Sequence, residues 1–184
     1  MSKINLEYFK QFPLVVLTGV GKSKRIAQVI CDSYQSLGYK FLFLDPTDLL
    51  HGSLGVFSSF SKALLILLSK SGTTKEIHDL SDKTKAAYPE VSQLLITMNE
   101  SLYFSNGMKQ VLFQETQEID SQQVFPSYSL VQYLIFFFEI LREHFDKQSI
   151  DSFLRNHPNG GLHQLLTQNN SFVVQNEEEE KLTQ

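Results

Sequence analysis

The run Ala63-Leu64-Leu65-Ile66-Leu67-Leu68 constrains the fold of this chain most tightly. It is unbroken by polar residues and reads as a strand buried on both faces rather than as one side of an amphipathic helix. Ser69-Lys70-Ser71-Gly72-Thr73-Thr74 follows at once, and a helical pattern begins beyond it through Ile77, Leu80 and Lys83. A strand, then hydroxyls and a glycine, then a helix start is a place to hold a phosphate. Glycine lets the backbone come close, hydroxyls donate hydrogen bonds, and first-turn N–H groups lack partners within the helix. The competing reading is an ordinary N-cap, where Ser and Thr are favoured.

The same alternation recurs along the chain. Pro13 to Thr18 reads as a first buried strand, and Gly19-Val20-Gly21 turns it into a helix over about Lys22 to Leu37 that Gly38 stops. Phe41 to Leu44 is a second strand ended by Asp45-Pro46, with a loop or short helix running to Phe57. Ala63 to Leu68 is the third strand, and Thr74 to Ala87 the second long helix. Val91 to Thr97 is the fourth strand, Gln110 to Phe113 a weaker fifth, and Ser127 to Phe145 the last long helix. Continuous apolar strands alternating with helices predict an α/β fold: a single doubly wound domain with a five-stranded, mostly parallel sheet flanked by helices. That domain is expected over residues 1–167. Residues 168–184, which include Glu177-Glu178-Glu179-Glu180, are expected to be a flexible acidic tail.

Open sheets of this kind bind ligands outside the carboxyl ends of their strands. Both Gly19-Val20-Gly21 and Ser69 to Thr74 fall there. Gly21-Lys22-Ser23 imitates the end of a P-loop, but the glycine needed five residues earlier is Val16, so nucleotide hydrolysis is not expected. Lys22 still sits at a strand-to-helix turn, placed to meet an anion or a substrate oxygen; otherwise it is a solvated lysine. His51, in Leu50-His51-Gly52-Ser53-Leu54-Gly55, and His157, in Asn156-His157-Pro158-Asn159-Gly160-Gly161, lie in glycine-bearing loops. Such histidines are structural or exposed in most proteins, and otherwise serve acid–base or metal work. No metal-ligand spacing is present, so no metal is expected. Glu76 reads as a first-turn carboxylate facing the helix dipole. Glu118 reads as a loop charge among the acids of Glu115 to Asp120. Cys31, the single cysteine, falls among apolar residues and reads as a buried, inert thiol.

A formal charge of −4 leaves no basic excess for nucleic acid, while Lys22, Lys24 and Arg25 would suit a small anion. The apolar run Leu130 to Leu141 contains Gln132 and Glu139 and is too short to span a bilayer, so no membrane association is expected. No signal peptide is visible, and a cytoplasmic location is expected.

Taken together, the segments resemble the sugar isomerase (SIS) domain family, and within it most the arabinose-5-phosphate isomerases. The resemblance runs from about Pro13 to Leu162. Thr18-Gly19-Val20-Gly21-Lys22-Ser23 matches the family's first-strand turn. His51-Gly52-Ser53-Leu54-Gly55 matches its His-Gly-Asp-Leu-Gly segment, with Ser53 replacing Asp. Ser69 to Glu76 matches its phosphosugar loop, with Lys70 where Asn or Gln is common. Glu118, a short loop ahead of Pro126-Ser127, falls where the family carries a catalytic glutamate, and His157-Pro158-Asn159-Gly160-Gly161 matches its His-Pro-Gly-Gly segment. The resemblance implies a flavodoxin-like SIS fold that interconverts D-ribulose 5-phosphate and D-arabinose 5-phosphate through an enediol, in lipopolysaccharide biosynthesis; as a departure from the family, no regulatory CBS pair is read after His157. Ser69, Ser71, Gly72, Thr74 and Ser127 would hold the phosphate. Glu118 would be the base, provided burial raises its pKa toward working pH. Lys22 would stabilise developing charge, His51 and His157 would serve ring opening or proton shuttling, and Glu76 would orient Lys22 or a histidine. No organic cofactor is implied. A homotetramer is, with sites that draw histidines from neighbouring chains. A phosphosugar-binding module without turnover, and an isomerase of a hexose or heptose phosphate, remain as alternatives.

Overall fold

The computed structural model of the protein describes residues 4–100, 108–112, 117–122, 124–161 and 164. Contacts divide the chain into two compact units, one over Met1–Gln35 and Tyr39–His144, the other over Ser36–Gly38 and from Phe145 onward.

The first unit is built on a sheet of five strands among the described residues: β1 (Val15–Gly19), β2 (Phe41–Phe43), β3 (Leu64–Leu68), β4 (Ser92–Thr97) and β5 (Lys109–Leu112), in the spatial order β2-β1-β3-β4-β5. All four pairings are parallel, and Val15 stands beside Phe41 on one side and Leu64 on the other. The expected parallel, doubly wound sheet is therefore present. Every residue of β1 and β3 is buried, which is what their unbroken apolar runs require.

Helices α1 (Leu6–Lys10), α2 (Lys22–Ser36), α3 (Pro46–Leu50), α4 (Lys75–Ala87) and α5 (Tyr128–Arg142) surround the sheet, with a 3-10 stretch at Ser53–Ser59. The chain leaves β1 in one direction, toward β2, and leaves β3 in the other, toward β4. Right-handed crossovers then place α2 and α4 on opposite faces. One face packs Leu14, Val16, Leu65, Leu67 and Leu95 against Leu49, Phe57, Ile77 and Leu80. Elsewhere Phe9, Tyr34, Phe41 and Phe137 form a ring cluster tying α1, α2, β2 and α5, and the Tyr34 hydroxyl donates to the Phe137 carbonyl at 2.9 Å.

Local chemistry sets the element ends. Asp45 accepts from the Thr47 N–H and starts α3, with Pro46 at its first position, so Asp45-Pro46 begins a helix as well as ending a strand. Asn5 caps α1. Gly38 follows α2 at φ 87, a backbone state that favours glycine. The last long helix was expected to run to Phe145. It stops at Arg142, and the second unit carries a separate helix, α6 (Lys147–Asn156), opened by an Asp146–Ser149 capping box. Phe113, Glu115 and the expected tail at 168–184 lie outside the described residues.

Candidate functional site

Strand order reverses between β1 and β3, so the crevice at their carboxyl ends is where a sheet of this order places a ligand. Two turns meet there. After β1, Gly21 adopts φ 62 and α2 begins at once with Lys22. Gly19 is packed so closely that an added Cβ would lie 3.0 Å from the Ser23 backbone carbon and 3.2 Å from the Leu68 carbonyl oxygen. A methyl group would be tight there, since the first turn of α2 sits directly against the end of β3.

The serine loop after β3 is internally braced. The Ser69 N–H donates to the Ile96 carbonyl, which extends the sheet pairing by one residue. Ser69 Oγ accepts from the Gly72 N–H at 3.1 Å and shares a 3.1 Å hydrogen bond with Thr74 Oγ1. Ser71 Oγ accepts from the Thr73 N–H at 3.2 Å and from Thr73 Oγ1 at 3.0 Å. Gly72 turns the chain at φ 67. Thr74 occupies the N-cap of α4 without a side-chain cap hydrogen bond. The hydroxyls thus order the loop instead of capping the helix, against the plain N-cap reading. Neighbouring elements hold it from outside. His78 Nε2 pairs with the Gly72 carbonyl at 2.7 Å, Thr97 Oγ1 donates to the Lys70 carbonyl at 3.0 Å, and Asn99 Nδ2 donates to the Ser71 carbonyl at 2.7 Å. Ser69 and Gly72 are buried, and Ser71 is exposed.

Glu118 is the buried charge of the site, 5% exposed. Its Oε2 accepts from the Ser127 N–H at 2.9 Å, Ser127 Oγ at 2.8 Å and the Ser129 N–H at 3.3 Å, at the N-terminus of α5. Its Oε1 lies 2.7 Å from Lys70 Nζ. Burial by itself would raise this carboxyl. The Lys70 ammonium and the α5 donors outweigh it and hold the group well below the ordinary carboxylate range. The raised pKa expected of a base is therefore not found. Ser127, expected to help the phosphate anchor, donates its hydroxyl to Glu118.

Lys22 is exposed at the start of α2, and its ammonium rests 3.5 Å from the centre of the Phe125 ring. Phe125 is presented by Asp120, whose carboxylate accepts the N–H groups of Val124 and Phe125 at 2.9 and 2.8 Å. Glu76 lies in the first turn of α4, exposed, and forms no hydrogen bond or ion pair with Lys22 or a histidine among the described residues. His51 is the C-cap of α3 and is exposed. His157 belongs to the second unit, closes α6, stacks on Phe153 with centroids 4.0 Å apart and pairs through Nδ1 with the Phe153 carbonyl. Cys31 is buried, and burial pushes its thiol far up. The structure thus brings together Ser69, Ser71, Gly72, Thr74, Glu118 and Ser127. It adds His78, Asn99 and Ser129, which sequence reading did not single out, and Lys70, which it noted only as a departure from the family's loop. His78 at four residues beyond Thr74, on the same helix side, was the available signal.

A cavity of about 310 Å³ opens at the opposite, amino edge of the sheet, among Tyr8, Phe12, Lys62, Lys85, Gln93 and Lys109, and no serine-loop residue lines it. No group of three or more metal-ligating side chains occurs among the described residues, and among them no helix is long and apolar enough to cross a membrane.

No family model matches the chain. It is 32% identical over 152 residues to an uncharacterised protein of Chlamydia pneumoniae, an alignment covering 79% of this chain and 44% of that one. It is 38% identical over 71 residues to the arabinose 5-phosphate isomerase KpsF of Escherichia coli, covering 39% and 21%. The chain therefore spans less than half the length of these relatives. Among solved structures, a putative phosphosugar isomerase involved in capsule formation from Bacteroides fragilis superposes with a TM-score of 0.69 at 25% identity, covering 84% of this chain and 80% of that one. An Escherichia coli protein in complex with arabinose 5-phosphate superposes at 0.66, with 24% identity and coverages of 80% and 76%.

Proposed function

With a chain that has the SIS fold and resembles phosphosugar isomerases as the premise, we propose that it interconverts an aldose and a ketose phosphate, and that the pair is D-arabinose 5-phosphate and D-ribulose 5-phosphate. The observation that carries this reading is the braced serine loop at the β1/β3 switch point, with buried Glu118 and its ion-pair partner Lys70 against it. A loop whose hydroxyls and glycine are already ordered meets a phosphate without further loss of freedom. KpsF, similar over part of the chain, supports the choice of sugar. The fold is shared with a protein that holds arabinose 5-phosphate.

On this reading Ser69, Ser71, Gly72, Thr74 and the first turn of α4 bind the phosphate, with Ser127 nearby. Glu118 takes the proton from C2 of the open-chain aldose, leaving an enediolate; O1 gains a proton as the C2 hydroxyl loses one, and return of the first proton to C1 gives the ketose. Lys22 stabilises the oxygen that gains negative charge. His51 and His157 open the sugar ring, with histidines supplied by neighbouring chains of a homotetramer, and Glu76 orients one of these groups. Glu118→Gln and Lys22→Ala then each lower kcat by about 10²-fold, the scale of a lost acid–base or charge-stabilising group.

The experiment is incubation with ribulose 5-phosphate and chromatographic identification of the aldose formed. Arabinose 5-phosphate as product supports the assignment. Turnover of only a hexose or heptose phosphate moves it to another sugar. One observation favours a second reading, a binding module that senses a phosphosugar: Glu118 is held as a fixed carboxylate by α5 and Lys70. Tight binding of the sugar phosphate with no product after prolonged incubation selects that reading.

A further inference from the structure

Lys70 stands where two anions compete for it. Its main chain is fixed, with the carbonyl accepting from Thr97 Oγ1 at 3.0 Å and from the Met98 N–H at 3.1 Å. Its side chain leaves the serine loop and carries Nζ to 2.7 Å from Glu118 Oε1. The two partners are held unequally. The Glu118 side chain is fully buried, with Oε2 taken by Ser127 and Ser129, whereas the Lys70 side chain is 26% exposed on a flexible four-carbon stem. Among the described residues, the groups facing Glu118 include Lys70 from the β3–α4 loop and Ser127, Ser129 and Tyr133 from α5, and of these four Lys70 carries the charge. Of the pair, Lys70 is the member able to move.

A phosphate seated in the serine loop lies within a residue or two of Lys70, whose neighbours Ser69 and Ser71 are each about 3.8 Å away along the Cα trace. A phosphate dianion carries more charge than a carboxylate and accepts more hydrogen bonds. We propose that Lys70 is a positioning residue with two stations: on Glu118 while the serine loop is empty, and on the phosphate group when substrate binds, which leaves Glu118 with its α5 donors. The proposal rests on the serine loop being the phosphate anchor. Its chemical consequence is timing. The carboxylate that must accept a proton is neutralised by a cation until substrate arrives, and becomes the stronger base once that cation is drawn away.

The test is calorimetric titration of the full chain with sodium sulfate, a phosphate mimic with no proton of its own to exchange near neutral pH, against chloride at matched ionic strength. Lys70→Gln is expected to weaken sulfate binding by about fivefold or more, and Lys70→Arg to restore it. Glu118→Gln, which releases Lys70, is expected to tighten binding by about fivefold or more, and that gain should vanish in the double variant, since coupling between two sites is reciprocal. An equal gain in both backgrounds means a general field effect and overturns the proposal. So does unchanged binding in Lys70→Gln, which decides the matter even if Glu118→Gln fails to fold. If sulfate does not bind the wild-type chain, or Ser71→Ala binds it as well as wild type, the phosphate-anchor reading itself fails and the proposal falls with it.

Discussion

A carboxylate buried against the first turn of a helix stabilises that helix whatever chemistry it also performs. Glu118 does this for α5, and its folded pKa lies below the unfolded value near 4.3. A depressed pKa of this kind contributes stability that is complete above the unfolded pKa and is lost as pH falls toward the folded one. Glu118→Gln is thus expected to cost about 1–3 kcal/mol at pH 7, the scale of an unmade buried hydrogen bond. The gap to wild type should shrink as pH drops below about 4. Urea denaturation at pH 7 and pH 3.5 checks this; a gap that stays constant removes Glu118 from its capping role. Ser71→Ala addresses binding instead. A raised KM for the sugar phosphate with kcat little changed is expected, because ground-state contact is lost. Identical KM values would take Ser71 out of the site. Ser69, Ser71 and Gly72 were legible as a candidate anchor because glycine and hydroxyls after an apolar run are a local pattern. Glu118 was legible only as a loop charge until resemblance marked it. The reason is that its partners are 48 residues back at Lys70 and nine ahead at Ser127, and neither distance has a periodicity to read.

At the scale of elements, the β1–α2 and β3–α4 turns are welded by a close approach. Gly19→Ala would push a methyl group against the Ser23 and Leu68 backbones. A cost of about 1–3 kcal/mol is expected, as for other overpacked sites, read as a lower urea midpoint with unchanged slope. Wild-type stability in the variant would mean that the turn relaxes freely. Strands β1, β3 and β4 were legible because burial on both faces leaves continuous apolar runs. β5 was seen only faintly, since its residues Lys109 to Leu112 are half polar and partly exposed. α6 was missed although its signals were present: Asp146 three residues before Ser149, then Ile150, Phe153 and Leu154 at helical spacing. The apolar continuity of the preceding helix masked the break at Arg142.

At the scale of the whole molecule, α5 buries Tyr133 and Phe137 and leaves Tyr128, Val131, Ile135 and Phe138 between 39% and 51% exposed. Their spacing of three, four and three residues is one stripe along the helix, a surface that water does not favour. Light scattering at micromolar concentration is expected to give more than the monomer mass, and Ile135→Glu with Phe138→Glu to reduce it. A monomeric wild-type chain would end the oligomer reading and the sharing of histidines with it. The strand order has a consequence of another kind, in the order of synthesis. β1 lies inside the sheet between β2 and β3, yet 49 residues separate Gly19 from Leu68. At ribosomal rates that interval lasts about 2–10 seconds. Through the first part of it Val15, Val16 and Leu17 have no strand beside them and then only β2 (Phe41–Phe43), so the growing chain carries an unzipped apolar edge that a chaperone, or a neighbouring nascent chain, meets before β3 does.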